Sequence, residues 1–452
     1  MAHGQVALFG FAFALALSPL FTCVSLANQR PNILLILVDD LGYGDLECYG
    51  AKEMRTPRLN ELMSRGTRFN RFYANCTVCS PTRASLLTGR YPDKAGVPGV
   101  IRQWGPNSWG YLDPNAITLP ETLRDVGYHT GMVGKWHLGF QSPNVPNARG
   151  FDHFHGFLAD MMDDYVTHLR GGENWMRFND KVIEPKGHAT ELFSDWAVEY
   201  IRKQAATEDP FFLYLPYNAP HFPIQPPEEY LVRVQNREPQ LSEARAANVA
   251  FVEHLDACIG RVLDSLTELG IEKDTLVIFS SDNGGSLRHA QSNGALRGGK
   301  QDHWEGGIRV PTCVVWPGEV PVRESNALGM TMDLLPTLCD LTGAEIPKGV
   351  DGESLKAAWI DNSTLDRNRT MIWVRREGGA KHAGRAYYAI RRGPWKLLQN
   401  SPFEPMVMVN LDKDPLEQQP QPPQGKIANE LRQRLMAHIQ DAGRVAWQGD
   451  AK

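Results

Sequence analysis

Four oxygen-bearing side chains stand where two apolar runs stop. Asp39 and Asp40 follow Asn32–Val38 (NILLILV), and Asp282 and Asn283 follow Thr275–Ser281 (TLVIFSS). Carboxylate and amide oxygens suit a hard divalent cation such as Ca²⁺ or Mg²⁺. Each pair alone reads as a turn former. Ligands of open α/β sheets gather beyond the carboxyl ends of strands, so two such pairs on two buried strands favour a metal.

A second group of residues suits an anion. In Cys79-Ser80-Pro81-Thr82-Arg83, Pro81 can open a helix, because the first turn needs no proline N–H. The side chain at position 79 then lies near free backbone N–H groups, with Arg83 about one turn on. The plain alternative for Cys79 is a packed thiol, or half a disulfide with Cys76 or Cys48. Gly134-Lys135-Trp136-His137 sets a cation and an imidazole two residues apart, on one side of an extended segment. His221 follows another apolar run, FFLYLPY, and Lys300 sits on a glycine-rich turn before Trp304. Singly, such lysines and histidines are more often structural. Together they offer cations to stabilise a multiply charged oxyanion and imidazoles to move its protons.

These residues need a scaffold that brings strand ends together. The runs at 32–38, 128–133, 211–217 and 275–281 read as buried strands, and 56–65, 119–126 and 242–269 read as helices with Pro or Ser at the start and Gly at the end. Alternation of the two predicts an α/β domain with a large mixed, mainly parallel sheet flanked by helices. After the polar stretch 361–364 the pattern becomes short strands (371–375, 386–391, 395–398, 407–411) and a helix near 427–439. That predicts a smaller C-terminal α+β subdomain with an antiparallel sheet.

The chain has 452 residues, 42% of them hydrophobic, and a net charge of −5. The negative balance argues against a nucleic-acid binder, and the length supports a large core. Residues 6–17 are apolar or small, no charged side chain precedes Arg30, and Ser25-Leu26-Ala27 has small residues at a cleavage site. This predicts a signal peptide over 1–27 and export to the periplasm or beyond the cell. An uncleaved anchor is the alternative, since no basic n-region is present. Later segments are too short or too polar to span a bilayer. The expected organisation is therefore 1–27, a catalytic domain over 28–362, and the C-terminal subdomain over 363–452.

The motifs together resemble the type I, formylglycine-dependent sulfatases of the alkaline phosphatase superfamily. CSPTRASLLTGR fits that family's C-x-P-S/T-R…TGR signature. PNILLILVDDLGYGD, VGKWHLG, APHFP, FSSDNGG and LRGGKQDHWEGGIRVP follow in the family's order. The resemblance runs from Pro31 to about Glu417, and spacing is most similar to bacterial proteins resembling N-acetylgalactosamine-6-sulfatase and arylsulfatase A.

The resemblance implies hydrolysis of sulfate monoesters. Cys79 would be oxidised to formylglycine by a formylglycine-generating enzyme. One hydroxyl of the hydrated aldehyde would attack sulfur, and the other would then expel sulfate. Asp39, Asp40, Asp282 and Asn283 match the metal ligands, with Ca²⁺ the usual ion. Arg83 matches the residue that orients the hydrate, and Lys135 and Lys300 match the lysines on the sulfate oxygens. His137 matches the histidine of the elimination step, and His221 the one beside the bridging oxygen.

A sulfated carbohydrate is the expected substrate. Trp104, Trp109, Asp160–Asp164 (DMMDD), His168, Arg375, Arg376 and Lys381 are candidates to meet its sugars or a neighbouring negative group. Asn75 and Asn362 fit the glycosylation pattern. Two rivals remain: a phosphate or phosphonate ester hydrolase of the same superfamily, and a sulfated-glycan binding protein on an inactive scaffold. A cysteine at the nucleophile position and a single oxygen-rich metal set argue against the first, though phosphonate hydrolases share formylglycine. Retention of all ten matches argues against the second.

Overall fold

Strand β1 (Asn32–Val38) lies at the middle of a ten-stranded sheet and explains why the sequence begins its fold with an unbroken apolar run. Leu34, Ile36 and Val38 point into one core layer, and Ile33, Leu35 and Leu37 into the other. A strand covered on both faces needs apolar residues at both parities. The computed structural model describes Met1, Gly4 and residues 30–103, 108, 111–361 and 368–445. The proposed signal peptide falls outside these residues.

In chain order the sheet contains β2 (Thr67–Phe69), β3 (His129–Lys135), β4 (His153–Phe157), β5 (Met176–Phe178), β6 (Lys181–Val182), β7 (Phe211–Pro216), β8 (Thr275–Ser281), β9 (Thr312–Val315) and β10 (Arg323–Ser325). Their spatial order is β10-β2-β9-β8-β1-β7-β3-β4-β5-β6. The five strands β8, β1, β7, β3 and β4 run parallel; β9 and β5 add antiparallel on either side, and at the β9 edge β2 pairs antiparallel with β9 and β10 parallel with β2. Helices α1 (Pro57–Ser64), α4 (Ala189–Gln204), α5 (Glu228–Arg237) and α6 (Glu243–Glu268) pack on one face. Helices α2 (Cys79–Thr88) and α3 (Leu119–Arg124) pack on the other.

The expected class is therefore the observed one, with differences at the margins. Ser242 caps α6 as its spelling suggests, accepting from the Arg245 N–H at 3.3 Å. Strand β3 runs two residues past its expected end, to Lys135. Gly134 permits this: its φ is +124°, and a Cβ there would lie 2.0 Å from the Pro216 carbonyl oxygen. The short outer strands β2, β5, β6 and β10 escaped the sequence reading. They have two or three residues and carry charges such as Arg68, Lys181 and Glu324, so no apolar run marks them.

The C-terminal antiparallel sheet comprises Thr370–Arg376, Ala386–Arg392, Trp395–Gln399 and Val407–Asn410 in sequential order, covered by a helix over Gly425–Ala442. Leu431 and Leu435 of that helix share a core with Trp373 and Ile390. Buried polar ties key it to the main domain. Lys396 Nζ sits 3.0 Å from Glu305 and 2.8 Å from Glu417, all three within the core, and Trp373 Nε1 donates to the Ala74 carbonyl at 2.8 Å. No helix among the described residues is long and apolar enough to cross a membrane.

Candidate active site

Four parallel strands deliver their carboxyl ends to one place. Past β1 come Asp39 and Asp40, and past β8 come Asp282 and Asn283. Lys135 closes β3 with His137 two residues on, and His221 lies just past β7. All seven are buried. Asp40 and His137 hold φ angles of 67° and 62°, a left-handed backbone that non-glycine residues adopt at a cost of about 1–3 kcal/mol. Tight turns at the strand ends are what aim these side chains back over the sheet.

Cys79 is the first residue of α2, two positions earlier than the Pro81 start suggested by sequence. Its Sγ lies 3.2 Å from Asp39 Oδ1 and 3.7 Å from Lys300 Nζ. Burial and the Asp39 carboxylate push the thiol well above its ordinary range, so it stays protonated and donates to Asp39. All six described cysteines are reduced, which removes the disulfide alternative for Cys79.

The cations are in place around it. Arg83 donates through Nε and Nη2 to one oxygen of Asp282, at 3.1 and 2.9 Å, and through Nη1 to the Lys135 carbonyl at 2.8 Å. Lys135 Nζ pairs with Asp39, and Lys300 Nζ with Asp40 at 2.7 Å. Burial opposes ionisation of Asp39, but Lys135, His221, Arg83 and Lys300 outweigh it and hold the carboxyl well below the usual range. Asp282 moves the other way, raised by burial and by the Asp39 charge.

Two histidines face this cluster in defined tautomers. His137 Nε2 is 2.8 Å from the Ile101 carbonyl, an acceptor only, so Nε2 carries the hydrogen and Nδ1 is left a buried free acceptor. Burial, Lys135 and Arg83 hold its pKa well down. His221 Nδ1 likewise donates to the Phe222 carbonyl at 2.7 Å, leaving Nε2 3.6 Å from Asp40 Oδ2. Burial and Lys300 lower its pKa to about 4.

The donor set fits a divalent cation. Asp39, Asp40 and Asp282 are three buried carboxylates, with Arg83 Nη2 3.4 Å from Asp39 and 2.9 Å from Asp282, and the Asp40 N–H donating to Asp282 at 3.2 Å. The Asn283 side-chain oxygen is buried without a partner. A buried acceptor without a donor costs about 1–3 kcal/mol, which a cation would relieve. Asp39, Asp40, Cys79 and His221 also each place a ligand-type atom within 4.8 Å of the others.

A cleft of about 700 Å³ opens above Cys79, His137, His221 and Lys300. Some expected lining residues are elsewhere. His168 is buried and bound to the Gly187 carbonyl at 2.9 Å. Arg375 is buried too, paired with Glu377 and donating to the Gln301 carbonyl at 3.0 Å. Arg376 stacks over Tyr388. Asp163 pairs with Arg170, and Asp164 accepts from the backbone N–H groups of Val166 and Thr167. Asp160 and Lys381 do line the cleft. Trp104, Trp109 and Asn362 lie outside the described residues. Asn75 is buried, its Oδ1 accepting from Thr331 and Met332, so it presents no surface amide. Arg102, Arg170, Phe222, Arg288 and His289 line the cleft without having been foreseen. They sit in loops or in elements of two or three residues, too short to carry a periodicity.

Comparison with known proteins gives this geometry a context. A sequence model described as Sulfatase matches residues 31–344, and one described as N-sulphoglucosamine sulphohydrolase, C-terminal, matches 299–441. N-acetylgalactosamine-6-sulfatase of Sus scrofa is 35% identical over 365 residues, covering 75% of this chain and 68% of its own length. Arylsulfatase A of Homo sapiens is 32% identical over 400 residues, covering 81% and 74%. The crystal structure of Ps i-CgsB in complex with k-i-k-neocarrahexaose superposes with a TM-score of 0.80 at 29% identity, over 93% of this chain and 94% of that one. With its fold, its cleft and these relatives in agreement, the chain belongs to the sulfatase family, enzymes that hydrolyse sulfuric esters.

Proposed function

We propose that the protein cleaves a sulfate monoester of a carbohydrate, using formylglycine made from Cys79 and a divalent cation. The observation that carries this reading is the setting of Cys79. A protonated thiol is a poor nucleophile, yet this one stands at the focus of a lysine, a carboxylate and a helix N-terminus. Conversion to formylglycine supplies a hydrated aldehyde, with one hydroxyl to attack sulfur and a second to release sulfate afterwards. Asp39, Asp40, Asp282 and Asn283 would hold Ca²⁺, or Mg²⁺ in its place, which would supply positive charge to stabilise the sulfate.

The chain's own residues do the rest. Arg83 holds Asp282 and the Lys135 carbonyl in register and keeps a fixed charge below residue 79. Lys135 and Lys300 neutralise sulfate oxygens, which raises electrophilicity at sulfur. His137, neutral with Nδ1 free, accepts a proton from the hydrate as sulfate departs. His221 Nε2, the ring nitrogen not engaged with the Phe222 carbonyl, takes up a proton and passes it to the leaving oxygen. The names of the relatives, and the oligosaccharide in one neighbour, support a sulfated sugar as substrate. We also propose residues 1–27 as an export signal, with domains over 28–362 and 363–452.

Two measurements test this. The purified protein should release 4-nitrophenol from its sulfate ester much faster than from the phosphate or phosphonate. Mass spectrometry of the Cys79 peptide should show loss of H₂S and gain of one oxygen. A thiol-bearing peptide in fully active protein would overturn the formylglycine assignment, and preference for a phosphonate would overturn the sulfate one.

A further inference from the structure

The outer cleft carries more positive charge than the chemistry at Cys79 uses. Five permanent cations line it: Arg102, Arg170, Arg288, Lys300 and Lys381. Three are matched, Lys300 by Asp40 at 2.7 Å, Arg102 by Glu377 at 2.8 Å and Arg170 by Asp160 at 2.8 Å. Arg288 and Lys381 are exposed and make no ion pair or hydrogen bond among the described residues. The remaining lining carboxylate, Asp302, accepts from the Gly299 N–H at 3.1 Å and from Asn400 at 3.3 Å, and feels Arg288 without pairing with it. Two cations that no carboxylate pairs with stand out on a chain whose net charge is −5.

Both cations stand on segments that are tied down. Lys381 belongs to the connection between the first two C-terminal strands, closed by Glu377 N–H donating to the Arg385 carbonyl at 2.8 Å. The same connection is fastened to the main domain by the Glu377–Arg102 pair and by Arg376 N–H on the Pro98 carbonyl at 2.7 Å. Arg288 belongs to the turn Leu287–His289 just beyond the metal-ligand loop. That turn is fixed by His289 Nδ1 against Ser286 Oγ at 2.9 Å and by the His289 ring stacked 4.3 Å from Phe222, which itself stacks on His221. The two domains thus each contribute one unpaired cation to one cleft. At about 700 Å³ the cleft lies in the upper part of the usual range for pockets that enclose a whole ligand.

We infer that Arg288 and Lys381 form a second anion subsite, which takes a sulfate or carboxylate on the same sugar as the scissile ester or on the adjoining one. The substrate class is then a multiply charged saccharide. This rests on the sulfate-ester reading above for the position of the scissile group. Unpaired cations on the wall of a cleft reward an extra charge on the correct ligand and give nothing to a ligand without one.

The test is calorimetric binding to calcium-loaded Cys79→Ala protein, which leaves the ligands intact, with and without Arg288→Gln and Lys381→Gln. Three probes are compared: N-acetylgalactosamine 6-sulfate, its 4,6-disulfate, and the disaccharide joining the 6-sulfated sugar to glucuronate. The paired substitution should weaken the disulfate, the glucuronate disaccharide or both by about tenfold while moving the 6-sulfate less than about twofold. Which two-charge probe responds tells sulfate from carboxylate. Equal weakening of all three, no weakening, or no binding of either two-charge probe would overturn the subsite. Hydrolysis of 4-nitrophenyl sulfate by the unsubstituted enzyme is measured separately. An enzyme that passes that assay and fails the binding comparison loses the subsite alone, and one that fails the assay yet shows the charge-selective weakening loses the catalytic reading alone.

Discussion

Asn283 Nδ2 donates to Asp40 Oδ1 over 2.8 Å, and this leaves the Asn283 side-chain oxygen buried with no donor. The orientation places one more oxygen beside three carboxylates. A ligand that binds only the folded state stabilises it by about 2.7 kcal/mol at a hundred times its dissociation constant. Chelation should therefore lower the thermal midpoint by about 3 °C or more, and added Ca²⁺ should restore it. Asn283→Leu should blunt that response. A midpoint indifferent to chelator and calcium alike would exclude the metal reading, whatever the activity did.

Cys79 occupies a point that no other residue can fill. Cys79→Ala should cut kcat by about 10⁴-fold or more, the scale of losing a covalent nucleophile, with an unchanged circular dichroism spectrum. Substantial turnover in that variant would mean that another group attacks the ester.

Acid should weaken the fold through two half-buried histidines. His155 stacks 3.4 Å from Trp196, and burial with neighbouring His153 lowers its pKa to about 3; burial lowers His153 to about 4. The unfolded chain binds these protons near pH 6.5 and the folded one only well below. Stability is thus full above about pH 6.5 and falls as pH drops through that value toward 4. Denaturant midpoints taken across this window should decline steadily, and His155→Phe, which keeps the stack, should make the decline shallower. A midpoint that rises on acidification would contradict the assignment.

Arg375 reaches from the C-terminal sheet to the turn that carries Lys300, donating to the Gln301 carbonyl at 3.0 Å while paired with the buried Glu377. Gln301 holds a φ of 82°, so its turn needs external support. Arg375→Met should cost about 3 kcal/mol of stability by breaking a buried pair and lower kcat about tenfold through loss of Lys300 positioning. Urea titration and steady-state rates read the two effects separately. An unchanged kcat would limit Arg375 to a structural tie.

The inner residues of the site were legible because each stands at a discontinuity in the chain. Asp39 and Asp282 end runs that only a strand covered on both faces would carry, and Cys79-x-Pro81 announces a helix start. The cleft wall was not legible for a physical reason. Arg375 and Arg288 are equally basic in the sequence, yet one is buried against Glu377 and the other faces the cleft. The contacts that draw Arg375 and Glu377 inward, to the Gln301 carbonyl and to Arg102, come from the other domain, so no local pattern encodes the difference. His168 misled in the same way: a histidine near an acidic turn reads as surface, but its Nε2 is spent on the Gly187 carbonyl.

The burial of Cys79, only 3% exposed, has a bearing on timing. A macromolecular oxidant has no approach to that side chain once β1, β8 and α2 have closed around it. The oxidation we propose therefore belongs to the nascent or unfolded chain. Asp282, which pairs with Arg83 under the finished site, lies about 200 residues downstream. At about 5–20 residues per second of synthesis, the Cys79 segment stays open for about 10–40 s before its own fold can seal it, and the speed of the maturation step is set against that clock.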